Sequence, residues 1–214
     1  MKNTKLSLWI SGVIVLSSTC VAPAALVVNG DWTVNTAIPD GSPVGITSYQ
    51  TFNNLAANGI TDVSVNLNIS GGYNGDLVGY LTLQDANGNV ATEFLLNQVG
   101  TSPSNPFGSS GAGFNVTLSD SGTANGSIHN ATGTPTGTWL PDSASTLDGT
   151  FGGLTANGTW TLFLADMSEG GGTSTLNSWG LEINVAPEPA TYGVLAGAGV
   201  LVLSFLGRFR RKQD

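Results

Sequence analysis

Apolar and polar residues alternate without a break in the stretch Asp62-Val63-Ser64-Val65-Asn66-Leu67-Asn68-Ile69-Ser70. A period of two places every apolar side chain on one face of an extended strand and every polar side chain on the other. The same alternation recurs in residues 114–118, 160–164 and 179–183. No stretch has a convincing period of 3.6 residues, the mark of an amphipathic helix. These patterns predict an all-β fold whose strands each bury one face.

Turn dipeptides that contain glycine separate these strands at short intervals. Asn-Gly and Asp-Gly pairs supply the positive φ angles that tight β connections need. Such pairs occur at Asp40-Gly41, Asn58-Gly59, Asn74-Gly75, Asn87-Gly88, Asn125-Gly126, Asp148-Gly149 and Asn157-Gly158. Strands punctuated this often predict a jelly-roll-type antiparallel β-sandwich. We see no domain boundary within it, and we predict long loops over residues 100–113 and 131–145.

The charge of the chain is distributed unevenly. Six Lys and Arg stand against 14 Asp and Glu, which gives a formal net charge of -8. The basic residues all lie within the first five residues or after Gly207. The body is therefore free of Lys and Arg and would repel a phosphate backbone. This pattern excludes nucleic acid as a partner and makes a divalent cation the more natural ionic ligand.

The N-terminal segment, residues 1–25, has the three parts of a secretory signal peptide. Lys2 and Lys5 precede an apolar run that extends from Leu6 to Val21, and the small-residue site Ala22-Pro23-Ala24 follows it. We expect signal peptidase to cut near Ala24 or Ala25. The single cysteine, Cys20, lies in the part removed. The mature protein would then have neither a disulfide nor a thiolate site.

The C-terminal segment has the pattern of a membrane anchor. Residues 192–207 are uncharged and predict a single transmembrane helix, although the run is short of the ~20 residues that cross a bilayer comfortably. The tail, residues 208–214, holds the basic residues Arg208, Arg210, Arg211 and Lys212. Such a cluster stops translocation and stays cytoplasmic. The body, residues 26–184, would therefore lie outside the inner membrane.

Residues 185–191 join the body to the predicted span and contain Pro187-Glu188-Pro189. The triplet, the apolar span and the basic cluster, in this order, closely resemble the PEP-CTERM sorting signal of Gram-negative bacteria. That resemblance implies processing by the membrane protease exosortase, often in organisms that make exopolysaccharide. It also implies an address in the cell envelope, at the cell surface or in the extracellular matrix. The alternative is an ordinary single-span anchor with a proline-rich stalk.

The body carries a second resemblance, to the P domain (Homo B domain) of subtilisin-like proprotein convertases. It spans roughly residues 33–183 and implies a jelly-roll β-sandwich. The stretches that carry it are Ile38-Pro39-Asp40-Gly41, residues 60–69, Gly75-Asp76-Leu77, residues 114–120, Leu140-Pro141, Leu147 with Phe151-Gly152, residues 157–166 and residues 176–181. In convertases the P domain stabilises a neighbouring protease, for which this chain has no room. The resemblance therefore implies a fold rather than a role.

The sequence argues against an enzyme. A serine hydrolase needs a base, and His129 is the only histidine; no nucleophile-elbow motif surrounds any serine. We therefore predict no catalytic residue and interpret His129 as a surface side chain. Asp76, Asp120 and Asp166 stand at predicted strand ends, which suggests a calcium site. The alternative is that each of these acids is solvated or caps a turn.

Four tryptophans remain after signal removal: Trp32, Trp139, Trp160 and Trp179. We expect the last three to pack in the core, which leaves only Trp32 poorly constrained. The leading hypothesis is a non-enzymatic surface or matrix protein. The alternatives are a carbohydrate- or calcium-dependent binding module, with the producer's exopolysaccharide as ligand, and an accessory domain of a separately encoded protease.

Overall fold

The computed structural model describes residues 24–187, all of which belong to one compact unit, Pro23–Ala190. This part of the chain holds nine strands and one short α-helix. The strands are β1 (Ala25–Ile38), β2 (Ser42–Phe52), β3 (Ile60–Ser70), β4 (Leu77–Asp85), β5 (Val90–Asn97), β6 (Gly113–Ser119), β7 (Thr136–Trp139), β8 (Gly158–Asp166) and β9 (Ser174–Val185). The helix, α1, is Leu147–Phe151.

The strands form two sheets that pack as a β-sandwich. The five-stranded sheet has the order β1-β9-β3-β6-β7, and the four-stranded sheet has the order β2-β8-β4-β5. All neighbouring strands run antiparallel except β6 and β7, which run parallel. Both sheets thus combine strands from the two halves of the body, and residues distant in sequence meet at the strand ends.

The alternation of residues 62–70 is confirmed in β3, where the apolar side chains are buried: Val63, Val65, Leu67 and Ile69. The four-stranded sheet faces them with its own alternating residues, among which Leu81 and Leu162 are also buried. Trp160 of β8 and Trp179 of β9 are fully buried between the sheets. The Trp179 indole N–H donates to Ser48 Oγ of β2 at 2.9 Å, so a hydrogen bond as well as packing joins the two sheets.

Two local expectations are corrected. Residues 131–145 were predicted to be a loop, but they include β7, a four-residue edge strand that contains glycine and has only a weak alternation signal. The Asp148-Gly149 pair was assigned to a tight turn but lies inside α1. Helix α1 begins there because the Thr146 hydroxyl accepts a hydrogen bond from Gly149 N at 3.0 Å, which caps an otherwise unpaired N–H.

The two ends of the body leave from the same place. Strand β1 pairs with β9, and the first residue of β1, Ala25, lies opposite the last residue of β9, Val185. Pro187 follows β9 directly and is the last residue described.

Most of the predicted targeting segments lie outside the described residues. These are the signal peptide up to Pro23, Glu188 and Pro189 of the sorting motif, the predicted span 192–207 and the basic residues Arg208, Arg210, Arg211 and Lys212. Between residues 24 and 187, no helix has the length and apolar character that a membrane span needs.

Candidate functional site

Three aspartates lie at the same end of the sandwich, and we call them the acidic cluster: Asp40, Asp76 and Asp166. Asp166 ends β8, where it lies opposite Ser42 of β2 and Leu77 of β4. Asp76 ends a single 3-10 turn immediately before β4. Asp40 lies in the turn between β1 and β2, where its carboxylate accepts a hydrogen bond from Gly170 N at 3.2 Å. The cluster arises because β8 is inserted between β2 and β4.

The two inner members of the cluster are removed from solvent. Asp166 is 0% exposed and Asp76 is 6% exposed, whereas Asp40 lies at the surface. Asp166 Oδ1 accepts a hydrogen bond from Ser168 N at 3.2 Å. Asp166 Oδ2 is buried without any hydrogen-bond partner. A buried carboxylate oxygen with no partner costs several kcal/mol in an apolar environment, roughly 2–7 kcal/mol for a neutral polar group and more for a charge.

The environment of the cluster disfavours ionised carboxylates. Burial raises the pKa of Asp76, and the charges of Asp166 and Asp40 raise it further, while a hydrogen bond from Ser168 opposes them. Burial also raises the pKa of Asp166, against the hydrogen bond from Ser168 N, and the charge of Asp40 adds to the rise. Because the body has no Lys or Arg, no basic side chain of that kind offsets these charges.

The predicted calcium ligands do not stay together. Asp76 and Asp166 meet, but Asp120 lies at the start of α1, where its two carboxylate oxygens accept hydrogen bonds from Leu147 N at 3.0 Å and Asp148 N at 2.8 Å. Across residues 24–187, no three His, Cys, Asp or Glu side chains are placed to hold one metal ion by themselves.

A second acidic pair forms where Asp120 meets Asp148. Asp148 Oδ1 accepts a hydrogen bond from Val63 N at 2.9 Å. Burial raises the pKa of Asp148, and the nearby Asp120 and Asp62 raise it further against the hydrogen bond from Val63. Asp120 caps the helix, and backbone N–H groups of α1 and β3 bind both oxygens of Asp120 and Oδ1 of Asp148.

The other buried acids are also satisfied. Asp85 ends β4 and accepts hydrogen bonds from Asn87 N at 2.9 Å and Asn89 N at 2.8 Å. Burial acts to raise the pKa of Asp85, but these bonds and one from the Asn89 side chain lower it overall. Residues 85–89 therefore form a hairpin turn, as predicted. Glu93, which points inward from β5, accepts hydrogen bonds from the hydroxyls of Ser143 and Thr150.

His129 is held on both ring nitrogens. Nδ1 lies 2.8 Å from Asp142 Oδ2, and Nε2 lies 2.9 Å from the carbonyl oxygen of Thr101. A carbonyl oxygen and an ionised carboxylate can only accept, so the protonated ring is the form that makes both hydrogen bonds at once. The hydrogen bond that Nδ1 donates to Asp142 raises the pKa of His129, burial opposes it, and the bond to Thr101 adds to the rise. His129 therefore fastens loops and has no free nitrogen that could activate a nucleophile.

The outer face of the four-stranded sheet carries a row of aromatic side chains. Tyr80 of β4 stacks on Phe163 of β8, with ring centroids 4.6 Å apart and planes 19° apart. Phe94 of β5 meets Tyr80 edge-on at 6.0 Å and is 46% exposed. In the next row Tyr49 of β2, 68% exposed, lies opposite Thr161.

Threonines occupy much of the rest of this outer face. The hydroxyls of Thr82 and Thr92 lie 2.9 Å apart, and those of Thr51 and Thr159 lie 3.0 Å apart. No charged side chain lies in these rows, because the acids of the four strands, Asp85, Glu93 and Asp166, are all buried. The outer face is thus aromatic, hydroxylated and uncharged. We call it the aromatic face.

The outer face of the five-stranded sheet has a different chemistry, and we call it the amide face. Asn66 of β3 donates to Asp31 of β1 at 3.1 Å and accepts from the Thr117 hydroxyl at 2.8 Å. Asn177 donates to Asn68 at 2.9 Å. Asn184 donates to Asp62 at 3.0 Å. Amides and carboxylates are linked across the strands, and no aromatic pair is found among them.

The tryptophans lie away from both outer faces. Trp160 and Trp179 are buried, as predicted. Trp139 is partly buried, and its indole N–H donates to Thr136 O at 2.8 Å. Trp32 packs against Trp179 with ring centroids 5.1 Å apart. The exposed aromatic side chains of residues 24–187 are therefore tyrosines and phenylalanines. The sequence signal for the aromatic face is Phe163, which occupies a polar register of the 160–164 alternation.

The comparisons with known proteins leave the family open. No protein-family model matches the chain, and no curated protein matches it. Among solved structures, the serine protease of Aeromonas sobria is 17% identical over 79% of this chain, with a TM-score of 0.46. The same protease in complex with its chaperone is 15% identical over 78% of this chain, with a TM-score of 0.47. The match spans 28% of that protein's chain in both cases. A likeness this weak carries no argument about fold or function.

Proposed function

We propose that this protein is an exported, non-enzymatic component of the cell surface or extracellular matrix of a Gram-negative bacterium. Signal peptidase would remove the segment before Ala25, and an exosortase-type enzyme would process the PEP-CTERM tail near Pro187, Glu188 and Pro189. The observation that carries the proposal is the pairing of Ala25 with Val185. It supports the proposal because both processing segments adjoin the sandwich just outside its first and last strands.

The arrangement around His129 supports a non-enzymatic role. Both ring nitrogens are engaged with Asp142 and Thr101, so the histidine cannot take a proton from a serine. The side chain links loops of the sandwich through these two hydrogen bonds.

We also propose that the sandwich is a jelly roll of the P-domain type. Consecutive strands alternate between the sheets: β1 and β3 lie in the five-stranded sheet, and β2 and β4 lie in the four-stranded sheet. The last two strands return in the same way, with β8 beside β2 and β9 beside β1. This double wrapping supports the proposal, since it is the arrangement that two interleaved Greek keys produce.

The sorting proposal is tested by replacing Pro187, Glu188 and Pro189 with alanine in the native host. We expect uncleaved precursor to accumulate in the membrane, because the segment recognised by the protease is gone. The matched control replaces two exposed loop prolines, Pro103 and Pro106, and should be processed normally. Intact mass of the protein from membrane, surface and medium is the measurement. Unchanged processing of the triple variant would contradict the sorting proposal.

The aromatic face favours a second candidate function, binding of a neutral polysaccharide such as the producer's exopolysaccharide. Tyr80, Phe94 and Tyr49 offer flat apolar surfaces beside threonine hydroxyls, a combination that suits the C–H faces and hydroxyls of sugar rings. The lack of charge in these rows argues for a neutral rather than an acidic polymer. Binding would then be insensitive to salt.

The polysaccharide candidate is tested by retention of the full-length protein on purified matrix polysaccharide. Replacing Tyr80 and Phe94 with serine should reduce retention at least tenfold. Replacing Asn66 and Asn177 with serine alters the amide face to a similar extent and should leave retention unchanged. Equal retention of the wild type and both variants would contradict this candidate.

The P-domain resemblance also motivates a role as accessory domain of a separately encoded protease. Co-purification of a protease with the protein from its native host would support that role. A purified protein with no bound protease would count against it.

A further inference from the structure

We propose that the acidic cluster is a calcium site, in which Asp76 and Asp166 hold the ion and Asp40 adds charge from the turn between β1 and β2. This inference does not depend on the proposed function, because it rests on the buried aspartates of the sandwich and not on where the protein is located in the cell. The ligand class is a divalent cation that prefers oxygen donors.

The first step is the unpaired oxygen. Asp166 Oδ2 is the one buried side-chain oxygen or nitrogen in residues 24–187 that lacks a hydrogen-bond partner. The other buried acids show how this chain satisfies a carboxylate, through N–H groups at Asp85 and hydroxyls at Glu93. An oxygen left unpaired beside a second buried carboxylate is therefore a position for a ligand.

The second step is the identity of the neutralising charge. Between residues 24 and 187 the sequence has no Lys or Arg, and the one histidine is engaged with Asp142. No basic side chain of the body is available to the cluster. A proton on Asp166 would cancel the charge, but the resulting hydroxyl at Oδ2 would still lack an acceptor. A cation satisfies both the charge and the unpaired oxygen.

The third step is the choice of ion. The side-chain donors of the cluster are all oxygens, the carboxylates of Asp40, Asp76 and Asp166. Since no three acidic or histidine side chains of the described body converge on one point, carbonyls and water must complete the shell. Calcium accepts six to eight such ligands in flexible geometry, whereas zinc prefers nitrogen and sulfur.

The site would link three segments of the chain. Asp40 belongs to the turn between β1 and β2, Asp76 to the turn before β4, and Asp166 to the start of the loop between β8 and β9. The same loop returns to Asp40 through Gly170 N and to Asp76 through Met167 N, which donates to the Asp76 carbonyl at 2.8 Å. A bound ion would stabilise this end of the sandwich against unfolding.

The test is thermal unfolding of the full-length protein in detergent, with calcium or with a chelator. With a dissociation constant of roughly 0.1–1 mM, typical of extracellular calcium modules, 10 mM calcium should raise Tm by about 3–10 °C. Asp166→Asn should abolish this rise, because the amide cannot supply the charge. Asp40→Asn is exposed and should fold normally, with the half-saturating calcium concentration increased about three- to tenfold.

The matched control is Asp148→Asn in the second acidic pair, where Asp148 Oδ1 already accepts a hydrogen bond from Val63 N. It should keep the full calcium response. The proposal is overturned if 10 mM calcium leaves the wild-type Tm unchanged. It is also overturned if Asp40→Asn titrates like the wild type, a result that stands even if Asp166→Asn does not fold. An equal response to magnesium would overturn the assignment to calcium.

Discussion

The two outer faces of the sandwich have opposite chemistry although their inner faces are alike. Both sheets bury alternating aliphatic residues and one tryptophan each, Trp160 in the four-stranded sheet and Trp179 in the five-stranded sheet. Outward, the aromatic face presents stacked rings and threonine pairs, while the amide face presents linked amides and carboxylates. The core constrains only every second residue of a strand, so the outward residues are free to take on function.

The largest expected effect concerns the shared inner layer. Trp160→Ala and Trp179→Ala should each lower the free energy of unfolding by about 3–5 kcal/mol, because each leaves a large cavity between the sheets. Denaturant titration measures the loss. Trp179→Phe is the control: it keeps most of the volume, removes the hydrogen bond to Ser48, and should cost about 1 kcal/mol plus a small packing loss. Strongly unequal losses for the two alanine variants would break the view that the inner faces are equivalent.

A smaller effect is expected on the aromatic face. Tyr80→Ala should cost about 1–2 kcal/mol, because it removes contacts with both Phe163 and Phe94 on a partly exposed surface. A double-mutant cycle of Tyr80→Ala with Phe163→Ala should give a coupling energy of about 0.5–1.5 kcal/mol. A coupling near zero would show that the stacked row does not stabilise the sheet and serves another purpose.

The loops that His129 links by hydrogen bonds belong to neither face. Through this histidine the free energy of unfolding should depend on pH. The folded state raises the pKa of His129 above its ordinary value of 6.5, so its stabilisation is complete below pH 6.5 and is lost as pH rises through the raised value. Because the ring is partly exposed, we expect a loss of about 1 kcal/mol between pH 6 and pH 9. Denaturant titrations at several pH values measure it.

His129→Gln is the control for this prediction, since it should make the free energy of unfolding nearly independent of pH above pH 6. The pKa values of Asp76, Asp148 and Asp166 are also raised in the folded state, so they too make the protein less stable as pH rises, but in a more acidic range. The variant should retain that acidic part of the pH dependence. If His129→Gln keeps the full pH dependence of the free energy of unfolding above pH 6, another group is responsible for it.

The smallest effect is expected on the amide face. Asn66→Ala removes an exposed hydrogen bond to Asp31 and a half-buried one from Thr117, and should cost about 0.5 kcal/mol because water replaces most of this bonding. Asn115→Ala, on the neighbouring strand β6, is the matched control, since its side chain makes no hydrogen bond within residues 24–187, and it should be nearly neutral. If Asn66→Ala costs as much as Tyr80→Ala, the contrast in stability between the two faces disappears.

The strands and the core could be predicted because successive side chains of a strand point to opposite faces, so a strand with one buried face has a period of two in its sequence. Residues 62–70 identify their own inward face, and the buried positions of Trp160 and Trp179 follow from the same rule. Strand β7 escaped prediction because four residues with a glycine are too few to show a period. It forms because β6 offers it a parallel edge, which is information from elsewhere in the chain.

The acidic cluster could be predicted only in part. Asp76 and Asp166 were recognised as acids at strand ends, but their meeting depends on sheet order, since β8 must lie beside β4 to bring residues 90 positions apart together. The same dependence removed Asp120 from the set and added Asp40. The aromatic face could not be predicted from the alternation of residues 160–164 alone, because Tyr80, Phe94 and Tyr49 come from three other strands that only the sheet order places near Phe163.

The order of strands within the sheets also dictates when the chain can fold. Strand β9 lies between β1 and β3, and β8 lies between β2 and β4. A chain that emerges from a ribosome or a membrane channel with its N-terminus first cannot close either sheet until residues 158–185 are free. Until then β1 and β2 have open edges that can pair with other chains. The domain must therefore be kept unfolded, or shielded, until its last strand arrives, and its many long-range pairings should make the final closure slow.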